Sequence, residues 1–564
     1  MIPFILGVTG HRHLPSDALP AVEHEVRERL CELRRVMPVT RIIVASAQAE
    51  GADRLVTRVA LEEKFEVWSV LPTEASEYEK DFTSEKSRAE FRDLLKKSAR
   101  VLNASELAGH AAGSTERPQI YVRGGNEICR LSHALLAVWD GKASDSPGGT
   151  AHVVAAFLSG RFEDTVATGL AFPDCGFVYH VPIETASGAG SNIKHGCRTL
   201  APHLADGGKR ILRADDKKLC ERLDEEMRSL NRFNLCYLEP PKPDADKAST
   251  ELLPGGFVWQ NDAVLSAWLS LYAAADSISV KAMKRRHRDL IAVVVLFALS
   301  MMSSLLYGGL VTGGYWPLLL GLGLMAAAYL VYKLHMRSKD HETWIGYRAL
   351  AEFLRVAISW RACRIQEPIH HALADARILP MDWLGMAARW IDNERRITAL
   401  PGAQAHEVRA VANHWIGGQT NYFADKDKKI DHHGSRAKGL ETMSLIFIGL
   451  AMGANVVTMI LDHLLSAQGR DEAFHVTHWF LYAYWALLGL SAVVAAYASI
   501  MAHAEHEAEY SHTLVKFRLA HAALSETSGA QIQHDVIVKL GKSAVRETAG
   551  WFRLHLGRPL RLPF

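Results

Sequence analysis

The sequence contains little cysteine and no excess of charge of either sign. Its 564 residues include 7 cysteines, and 64 Lys and Arg against 62 Asp and Glu give a net charge of +2. The cysteines form no CxxC pair, which argues against a disulfide framework or zinc ribbon and fits a reducing compartment. A nearly neutral balance gives no case for nucleic-acid binding. The N-terminus MIPFILGVTGHR has no basic residues before its apolar run, so we interpret it as a buried strand and not as a signal peptide.

One long segment contains no charged residue and no histidine. It extends from Leu290 to Tyr332 and is long enough to cross a bilayer twice, because a hydrocarbon core of about 30 Å needs about 20 apolar helical residues. We predict spans at about 290–310 and 315–332, joined by a turn at Gly308–Gly314. The turn is uncharged, and basic residues lie outside both ends: Lys281, Lys284, Arg285, Arg286, Arg288, Lys333, Arg337 and Lys339. By the positive-inside rule, both flanks are predicted to be cytosolic.

Two later runs also lack charge, at about 442–461 and 479–502, and each is long enough for one crossing. We therefore predict an all-α membrane region with four transmembrane helices in two hairpins and with both termini in the cytoplasm. Ser300, Ser303 and Ser304 share a face of the first span, where their hydroxyls either line water in an assembly or bond to helix backbone. Gly449 and Gly453 form a GxxxG pair that permits close helix packing within one chain or between chains.

The N-terminal part alternates apolar runs with helical patterns. We predict strands at 3–8, 40–46, 66–71, 135–139 and 177–183, with helices between them. This alternation predicts right-handed crossovers and an α/β fold with a parallel sheet. Residues 186–255 form an extension that begins with a loop rich in Gly and Ser, and its last part, 239–254, is rich in proline and charge and is predicted to be a linker.

Three strand-to-loop junctions carry motifs. They are GVTGHR at Gly7–Arg12, AEGADR at Ala49–Arg54, and AVWDG followed by PGGT within Ala137–Thr150. In a parallel sheet these loops lie at the carboxyl ends of the strands, where backbone N–H groups favour an anion. A plain strand-to-helix turn can have the same composition as any one of these loops.

Taken together and in this order, the three motifs resemble the SLOG superfamily, the Rossmann-like fold of LOG phosphoribohydrolases and of ligand-sensing domains in bacterial defence systems. The resemblance covers residues 1–185 and implies a nucleotide or an NAD-derived ligand such as a cyclic ADP-ribose. It implies that the first loop contacts phosphate, that the second contacts ribose or base, and that the third closes the pocket. The implied ligand-binding residues are Gly7, Thr9, Gly10, His11, Arg12, Ser46, Glu50, Gly51, Asp53, Arg54, Asp140, Gly148, Gly149 and Thr150.

The third motif departs from that of the LOG hydrolases, which resemble each other in PGGxGTxxE. Here Val153 stands where the glutamate of that motif would be. Cleavage of an N-glycosidic bond needs a group that stabilises an oxocarbenium-like centre or activates water. The sequence therefore predicts binding without turnover, with no catalytic residue, cofactor or metal site. Glu50, Asp53 and Glu127 remain carboxylates that could substitute for the missing one.

The membrane region resembles SLATT modules, two-span units found with SLOG domains. Residues 256–400 and 401–530 would each form one module, with 531–564 as a C-terminal tail. The supporting residues are WIGYRALAEFLR at Trp344–Arg355 and HWIGGQTNYF at His414–Phe423.

The two resemblances imply an oligomeric effector in the bacterial inner membrane that responds to a nucleotide second messenger and acts in antiviral growth arrest. They also imply a functional link to a nucleotide cyclase or NAD-cleaving enzyme that makes the signal. A membrane-anchored nucleotide N-glycosidase and a scaffold that recruits a protein partner are the alternatives.

Overall fold

The computed structural model of the chain describes residues 1–108, 116–144, 146–160, 162, 175–183, 198–204, 210–214, 217–239, 244–256, 261–309, 315–375, 382–398, 405–466, 472–501, 503–526 and 530–556. The chain divides into two compact units. Unit 1 comprises Met1–Ala275, Ala349–Val408 and Gly541–Ala549, and unit 2 comprises Asp276–Arg348, Arg409–Leu540 and Gly550–Phe564. Part of the helical region, Ala349–Val408, thus belongs to unit 1 together with the N-terminal residues.

Unit 1 contains an eight-stranded sheet. Its strands are β1 (Phe4–Gly10), β2 (Ile42–Ser46), β3 (Glu66–Leu71), β4 (Arg100–Asn103), β5 (Ala134–Trp139), β6 (Phe177–Pro182), β7 (Arg198–Leu204) and β8 (Arg210–Ala214). The spatial order is β4-β3-β2-β1-β5-β6-β7-β8. Strands β1 to β6 pair in parallel, and β7 and β8 are added antiparallel at one edge. The predicted parallel α/β domain is confirmed, and β4, β7 and β8 are strands that the sequence analysis did not predict.

Helices connect the strands and continue after them. Those of the first part of the chain are α1 (Leu19–Val36), α2 (Ala52–Glu62), α3 (Ala75–Tyr78), α4 (Glu85–Lys97), α5 (Ala104–Leu107), α6 (Arg117–Leu131), α7 (Thr150–Ser159), α8 (Lys217–Leu238) and α9 (Ala245–Leu252). A 3-10 turn, Glu79–Asp81, follows α3. The predicted glycine- and serine-rich loop at 186–192 lies outside the described residues.

The core of the sheet is apolar on both faces, as expected for parallel strands covered by helices. Six of the seven residues of β1 are buried, and Gly7 pairs with Ala45 on one side and Leu135 on the other. Trp68 and Phe157 are fully buried in one cluster that joins the sheet to α6 and α7. β1 is therefore a buried central strand of the sheet, and its last residues lie at the carboxyl ends of the parallel strands.

The predicted linker at 239–254 is in part a packed helix. Helix α9 buries Ala248 and Leu252. The Tyr272 hydroxyl donates to Glu251 Oε1 at 2.7 Å, and Arg355 Nη2 donates to the Tyr272 hydroxyl oxygen at 2.6 Å. This part of the predicted linker is therefore a packed helix, with buried apolar side chains and a hydrogen bond to Tyr272.

The chain continues with α10 (Ala263–Gly309), α11 (Trp316–Ser338), α12 (Asp340–Ala362), α13 (His370–Asp375), α14 (Trp383–Ile397), α15 (Ala405–Ser466), α16 (Glu472–Met501), α17 (His503–Glu526) and α18 (Ala530–Leu556). One helix, α10, leads without interruption into the first apolar segment. Most of the predicted turn at Gly308–Gly314 lies outside the described residues.

Helix α14 packs in unit 1 against α6 and α8. The Arg389 guanidinium, 1% exposed, donates to Ser132 O at 2.6 Å and Cys175 O at 3.0 Å. Asn393 Nδ2 donates to the carbonyls that end α6, at 3.1 and 3.2 Å. A buried pair, Arg361 Nε to Asp262 Oδ2 at 2.7 Å, joins α12 to the residue before α10. Residues after the first apolar pair of helices thus complete the fold of unit 1.

Within the described residues, three segments are long and apolar enough to cross a membrane: Ala263–Ser303, Trp316–Ala362 and Lys438–Leu461. The fourth predicted span corresponds to a shorter apolar stretch, Phe480–Ala495, within α16. The helical region and three span-length segments are therefore established, whereas an arrangement of four spans in two hairpins is not.

The serines of the first apolar helix bond to the neighbouring helix of unit 2. Ser300 Oγ donates to Gly321 O at 2.7 Å, and Ser303 Oγ donates to Pro317 O at 2.6 Å. Both serines are buried. Of the two roles open to these hydroxyls, the structure therefore assigns them helix-to-helix bonding instead of contact with water. The Ser304 side chain lies outside the described residues.

Candidate functional site

The strand order places a topological switch point at the centre of the sheet. Strands β2 to β4 are added outward on one side of β1, and β5 begins the other side. In open parallel α/β sheets, ligands bind outside the carboxyl ends of the strands at this point. Here the loops after β1, β2 and β5 meet, and these are the three loops that carry the sequence motifs.

The backbone of His11 holds the three loops together. His11 N donates to Val138 O in β5 at 3.0 Å, and Ala52 N at the start of α2 donates to His11 O at 3.0 Å. The His11 ring approaches Asp140, with Nε2 3.3 Å from Oδ1. Gly10 is required in this arrangement, because a Cβ there would lie 2.4 Å from the Ala52 Cβ. The first loop is therefore fixed on both sides by the other two.

The second loop contains two residues with positive φ. Gly51 has φ +83°, and a Cβ at this position would lie 2.2 Å from Arg12 O. Gln48 has φ 60°, which non-glycine residues rarely adopt. Its backbone N–H donates to Ser46 Oγ at 3.1 Å, and its carbonyl accepts from Arg54 Nε at 3.2 Å. The loop is thus a tightly held turn that lies directly against the first loop.

Asp53 lies in the first turn of α2 and is 5% exposed. Burial raises the pKa of Asp53 to about 7, although a hydrogen bond from Ala49 N and the positive charge of Arg12 act to lower it. Burial also raises the pKa of Tyr78, which feels the Asp53 charge. The site therefore contains a carboxyl group that gains or loses its proton near neutral pH.

Arg12 is exposed and lies over an aromatic ring of α6. Its guanidinium carbon is 5.2 Å from the centroid of the Tyr121 ring. The Tyr121 hydroxyl donates to Asp81, which also pairs with Arg117. Burial and the hydrogen bond to Asp81 raise the pKa of Tyr121. The Tyr121 ring therefore holds the exposed Arg12 guanidinium beside the first loop.

The third loop contributes Asp140, Gly148, Gly149 and the start of α7 at Thr150. Burial opposes ionisation of Asp140, but hydrogen bonds from Lys142 N and His11 hold its pKa below the usual value. Gly148 has φ +72°, and a Cβ there would lie 2.8 Å from the Tyr121 Cβ. The first and third loops thus converge on the same tyrosine.

Several residues implied by the resemblance lie away from this convergence or have structural partners. Gly7 is inside β1, where a Cβ would lie 2.3 Å from Ser132 Oγ. Arg54 is 2% exposed and pairs with Glu90 at 3.0 Å, and Glu50 accepts a hydrogen bond from Ser87. Thr9 and Ser46 are buried near the ends of β1 and β2. The structure brings together Gly10, His11, Arg12, Gly51, Asp53 and Asp140. Gly148 packs against Tyr121, the residue under Arg12, and Gly149 and Thr150 follow it in the chain.

The carboxylates considered as substitutes in catalysis are engaged or buried. Glu127 is fully buried and pairs with Arg130 and Arg396, each at 2.6 Å. Val153 is 5% exposed and packs in the core cluster. Among the described residues, no group of three or more His, Cys, Asp and Glu is placed to hold a metal ion.

The sequence analysis did not identify Gln48, Asp81 or Tyr121 as site residues. Gln48 stands one position before the AEGADR motif and carried no signal of its own. Asp81 and Tyr121 reach the site from segments after β3 and β4, and β4 was not predicted.

The fold and the site define the protein as a parallel-sheet α/β domain followed by a helical region with three span-length apolar segments among the described residues. No protein family model matches the sequence, and no curated protein matches it at a significant level. Among solved structures, the chain is similar to DNA processing protein A (DprA) from Streptococcus pneumoniae, at 14% identity and a TM-score of 0.22. The match covers 33% of this chain and 52% of that chain, about half of the other protein's length. The α/β class of the domain follows from the strand order, independently of this similarity.

Proposed function

We propose that the protein is a ligand-gated membrane effector of a bacterial anti-phage system. The α/β domain binds a nucleotide-derived second messenger, and binding changes the assembly of the membrane helices so that the membrane is breached. The observation that carries the proposal is the meeting of three polar loops at the switch point of the sheet, in a chain that also has three span-length apolar segments among the described residues. The signal would come from a nucleotide cyclase or an NAD-cleaving enzyme.

The site offers separate charged and neutral parts for such a ligand. Arg12 supplies an exposed guanidinium, which suits a phosphate. Asp53 is buried behind the first loop, and burial favours its uncharged form. A nucleotide has the same polarity, with anionic phosphate at one end and a neutral base at the other.

For the membrane region we propose four crossings of the inner membrane, with both termini in the cytoplasm. Helix α16 has 30 residues, more than the roughly 20 that one crossing needs, although its apolar stretch is shorter. Four crossings would return the chain to the side of the α/β domain. The basic flanks of the first apolar pair support a cytosolic α/β domain.

We also propose that several copies assemble. A Cβ added at Gly449 or Gly453 would meet nothing within 4 Å, and only 6% of the surrounding span is buried. This close-packing face is therefore uncovered in one chain. Reversing a two-state equilibrium from 1:99 to 99:1 needs about 5.5 kcal/mol of differential binding, which several ligands can supply together.

Helix α6 provides a route from the site to the helical region. Its first turns carry Arg117 and Tyr121 at the site, and its end bonds to α14 through Asn393 and through Glu127 to Arg396. In sequence, α14 lies between the second and third span-length segments. A ligand that moves Tyr121 would therefore move the helix that joins the two halves of the membrane region.

The test is dye release from liposomes that contain the full-length protein. Cyclic ADP-ribose isomers, ADP-ribose, NAD, cyclic dinucleotides and nucleoside monophosphates are first screened by thermal shift, and each solution is then analysed for breakdown. We expect at least one ligand to bind intact and to cause leakage, and Arg12→Gln to abolish both effects. A ligand that binds without leakage in any lipid composition contradicts the gating proposal. Release of free base identifies an N-glycosidase instead, and the absence of any ligand favours the scaffold.

A further inference from the structure

The buried amide of Gln48 has no hydrogen-bond partner within the described part of the chain. The residue is 0% exposed, and neither Oε1 nor Nε2 is bonded. The backbone of Gln48 is also strained. Its φ of 60° lies in the left-handed region, which residues other than Gly, Asn and Asp rarely adopt. Two independent costs therefore fall on one residue of the candidate site.

Both features destabilise the folded protein. A buried polar group without a partner loses its hydration and gains no hydrogen bond in return, and a non-glycine residue in the left-handed region brings its Cβ too close to the following carbonyl oxygen. A glycine at position 48 would remove the backbone strain, and an apolar side chain there would remove the unpartnered amide. Unsatisfied buried groups and strained backbone concentrate at sites that bind something.

The local structure holds the Gln48 backbone in place. Its N–H is bonded to Ser46 Oγ and its carbonyl to Arg54 Nε, so both sides of the peptide are anchored. The next residue, Ala49, donates its N–H to Asp53 Oδ2 at 3.4 Å. The unpartnered amide and the buried carboxyl group are therefore joined through a single short turn.

We propose that Gln48 and Asp53 determine ligand specificity by pairing with a planar, neutral group that has adjacent donor and acceptor atoms, such as a nucleobase edge or a carboxamide. This inference rests on the proposed function and adds to it the chemistry of the ligand's uncharged end. A glutamine amide pairs through two hydrogen bonds with an adenine edge, and it can pair equally with another amide. Arg12 binds the anionic end of the same molecule.

The full burial of Gln48 makes this pairing selective. A ligand that lacks the matching pair leaves buried polar groups unsatisfied, and sites of that kind reject such analogues strongly. A ligand that consists only of ribose phosphate would contact Arg12 but not Gln48 or Asp53. The affinities for the anionic and the neutral end of the ligand can therefore be measured separately.

The test measures dissociation constants of the full-length protein in detergent for five probes. These are adenosine and inosine monophosphate, which differ at the base edge; nicotinamide and nicotinic acid mononucleotide, which differ at the carboxamide; and ribose 5-phosphate. We expect one member of one pair to bind at least tenfold more tightly than the other. The preferred pair distinguishes a base edge from a carboxamide.

Gln48→Met is the matched variant, since it keeps the length of the side chain and removes the amide. We expect it to lower affinity for the preferred probe at least tenfold, to leave affinity for ribose 5-phosphate unchanged, and to melt at the wild-type temperature or above. Unchanged affinity for every probe shows that the amide holds only water and overturns the inference. If the variant does not fold, equal binding of both members of each pair by the wild type overturns the inference.

The outcomes also separate this inference from the proposed function. Binding of all five probes with similar affinity, and its loss in Arg12→Gln, retains a phosphate-binding site and rejects base or amide recognition. Failure of all five probes and of the wider panel used in the thermal-shift screen rejects the proposed function itself.

Discussion

At the scale of single residues, the loop after β2 concentrates the conformational demands of the site. Gly51 and Gln48 both have positive φ within four residues, and Asp53 follows in the first turn of α2. Only glycine fits at position 51, because both the backbone angle and the contact with the first loop exclude a side chain. This loop is therefore expected to be sensitive to substitution.

Gly51→Ala is expected to destabilise the protein more than Gly256→Ala. Both glycines have φ +83°, a backbone angle that L side chains rarely adopt. A Cβ at position 51 would clash with Arg12 O, whereas a Cβ at position 256 meets nothing within 4 Å. Gly256→Ala should cost about 1 kcal/mol, and Gly51→Ala should cost more and weaken ligand binding. Thermal melting of the two variants checks this, and equal melting temperatures would contradict the fit of the two loops.

Asp53 is expected to make the protein less stable as the pH rises from about 4 to about 7. Its pKa is about 7 in the folded protein and about 3.9 in an unfolded chain. Between these values only the folded state keeps the proton, so the free energy of unfolding falls by about 1.4 kcal/mol per pH unit from this group. The loss is complete above about pH 7.

Asp53→Asn removes this dependence. Its melting temperature relative to the wild type should therefore rise between pH 5 and pH 8. Asp93→Asn, at an exposed ion pair with Lys97, is the control and should show no such trend. A constant difference between Asp53→Asn and the wild type at both pH values would mean that Asp53 stays ionised in the folded protein.

At the scale of elements, α6 is the helix that belongs both to the site and to the packing of α14. Tyr121 near its start lies under Arg12, and Glu127 near its end pairs with Arg396. The ion pair is partly shielded, since Glu127 is fully buried. Removing Arg396 should weaken the attachment of α14 without altering the loops.

Arg396→Met is expected to retain ligand affinity and to reduce ligand-induced dye release several-fold. The physical reason is that α6 would still bind ligand but would hold α14 less firmly. Arg92→Met, at exposed pairs with Glu79 and Glu85, is the control. Parallel titration and release measurements check the result, and normal release from Arg396→Met would exclude this ion pair from the coupling route.

Prediction from the sequence succeeded for elements with strong periodicity and failed where tertiary contacts decide. β3 was predicted at its observed bounds, because it is an apolar run between turn signals. β4, RVLN, is too short and polar to be recognised, and it becomes a strand by pairing with β3. α9 has few apolar residues, and tertiary contacts such as the burial of Leu252 and the hydrogen bond of Tyr272 to Glu251 hold it in place.

The same distinction applies to the candidate site. The loops at the strand ends could be predicted, because a glycine that stands between an apolar run and a helical pattern is visible in the local sequence. Gly10 and Gly51 are two such glycines. The burial of Asp53 and the unpartnered amide of Gln48 depend on what surrounds them in space. No local pattern carries that information, so the chemistry of the site emerged only from the fold.

At the scale of the whole molecule, the number of membrane crossings decides where the two termini lie. Reporter fusions at the N-terminus and the C-terminus of the full chain should both report the cytosol, because four crossings return the chain to its starting side. Among the described residues, three segments are of span length. Three crossings would place the termini on opposite sides and four on the same side, so the reporters distinguish the two arrangements. Reporters on opposite sides would show an odd number of crossings, as the three span-length segments alone would give, and would contradict the four-span arrangement.

The composition of unit 1 has a consequence for biosynthesis. The unit is built from Met1–Ala275, Ala349–Val408 and Gly541–Ala549, and Gly541 lies so close to Trp360 that a Cβ there would be 2.4 Å from the indole. The ribosome must therefore synthesise α10 and α11, and later α15 and α16, before the last piece of the α/β domain exists. Unit 1 therefore completes its folding only after every candidate membrane helix has been made.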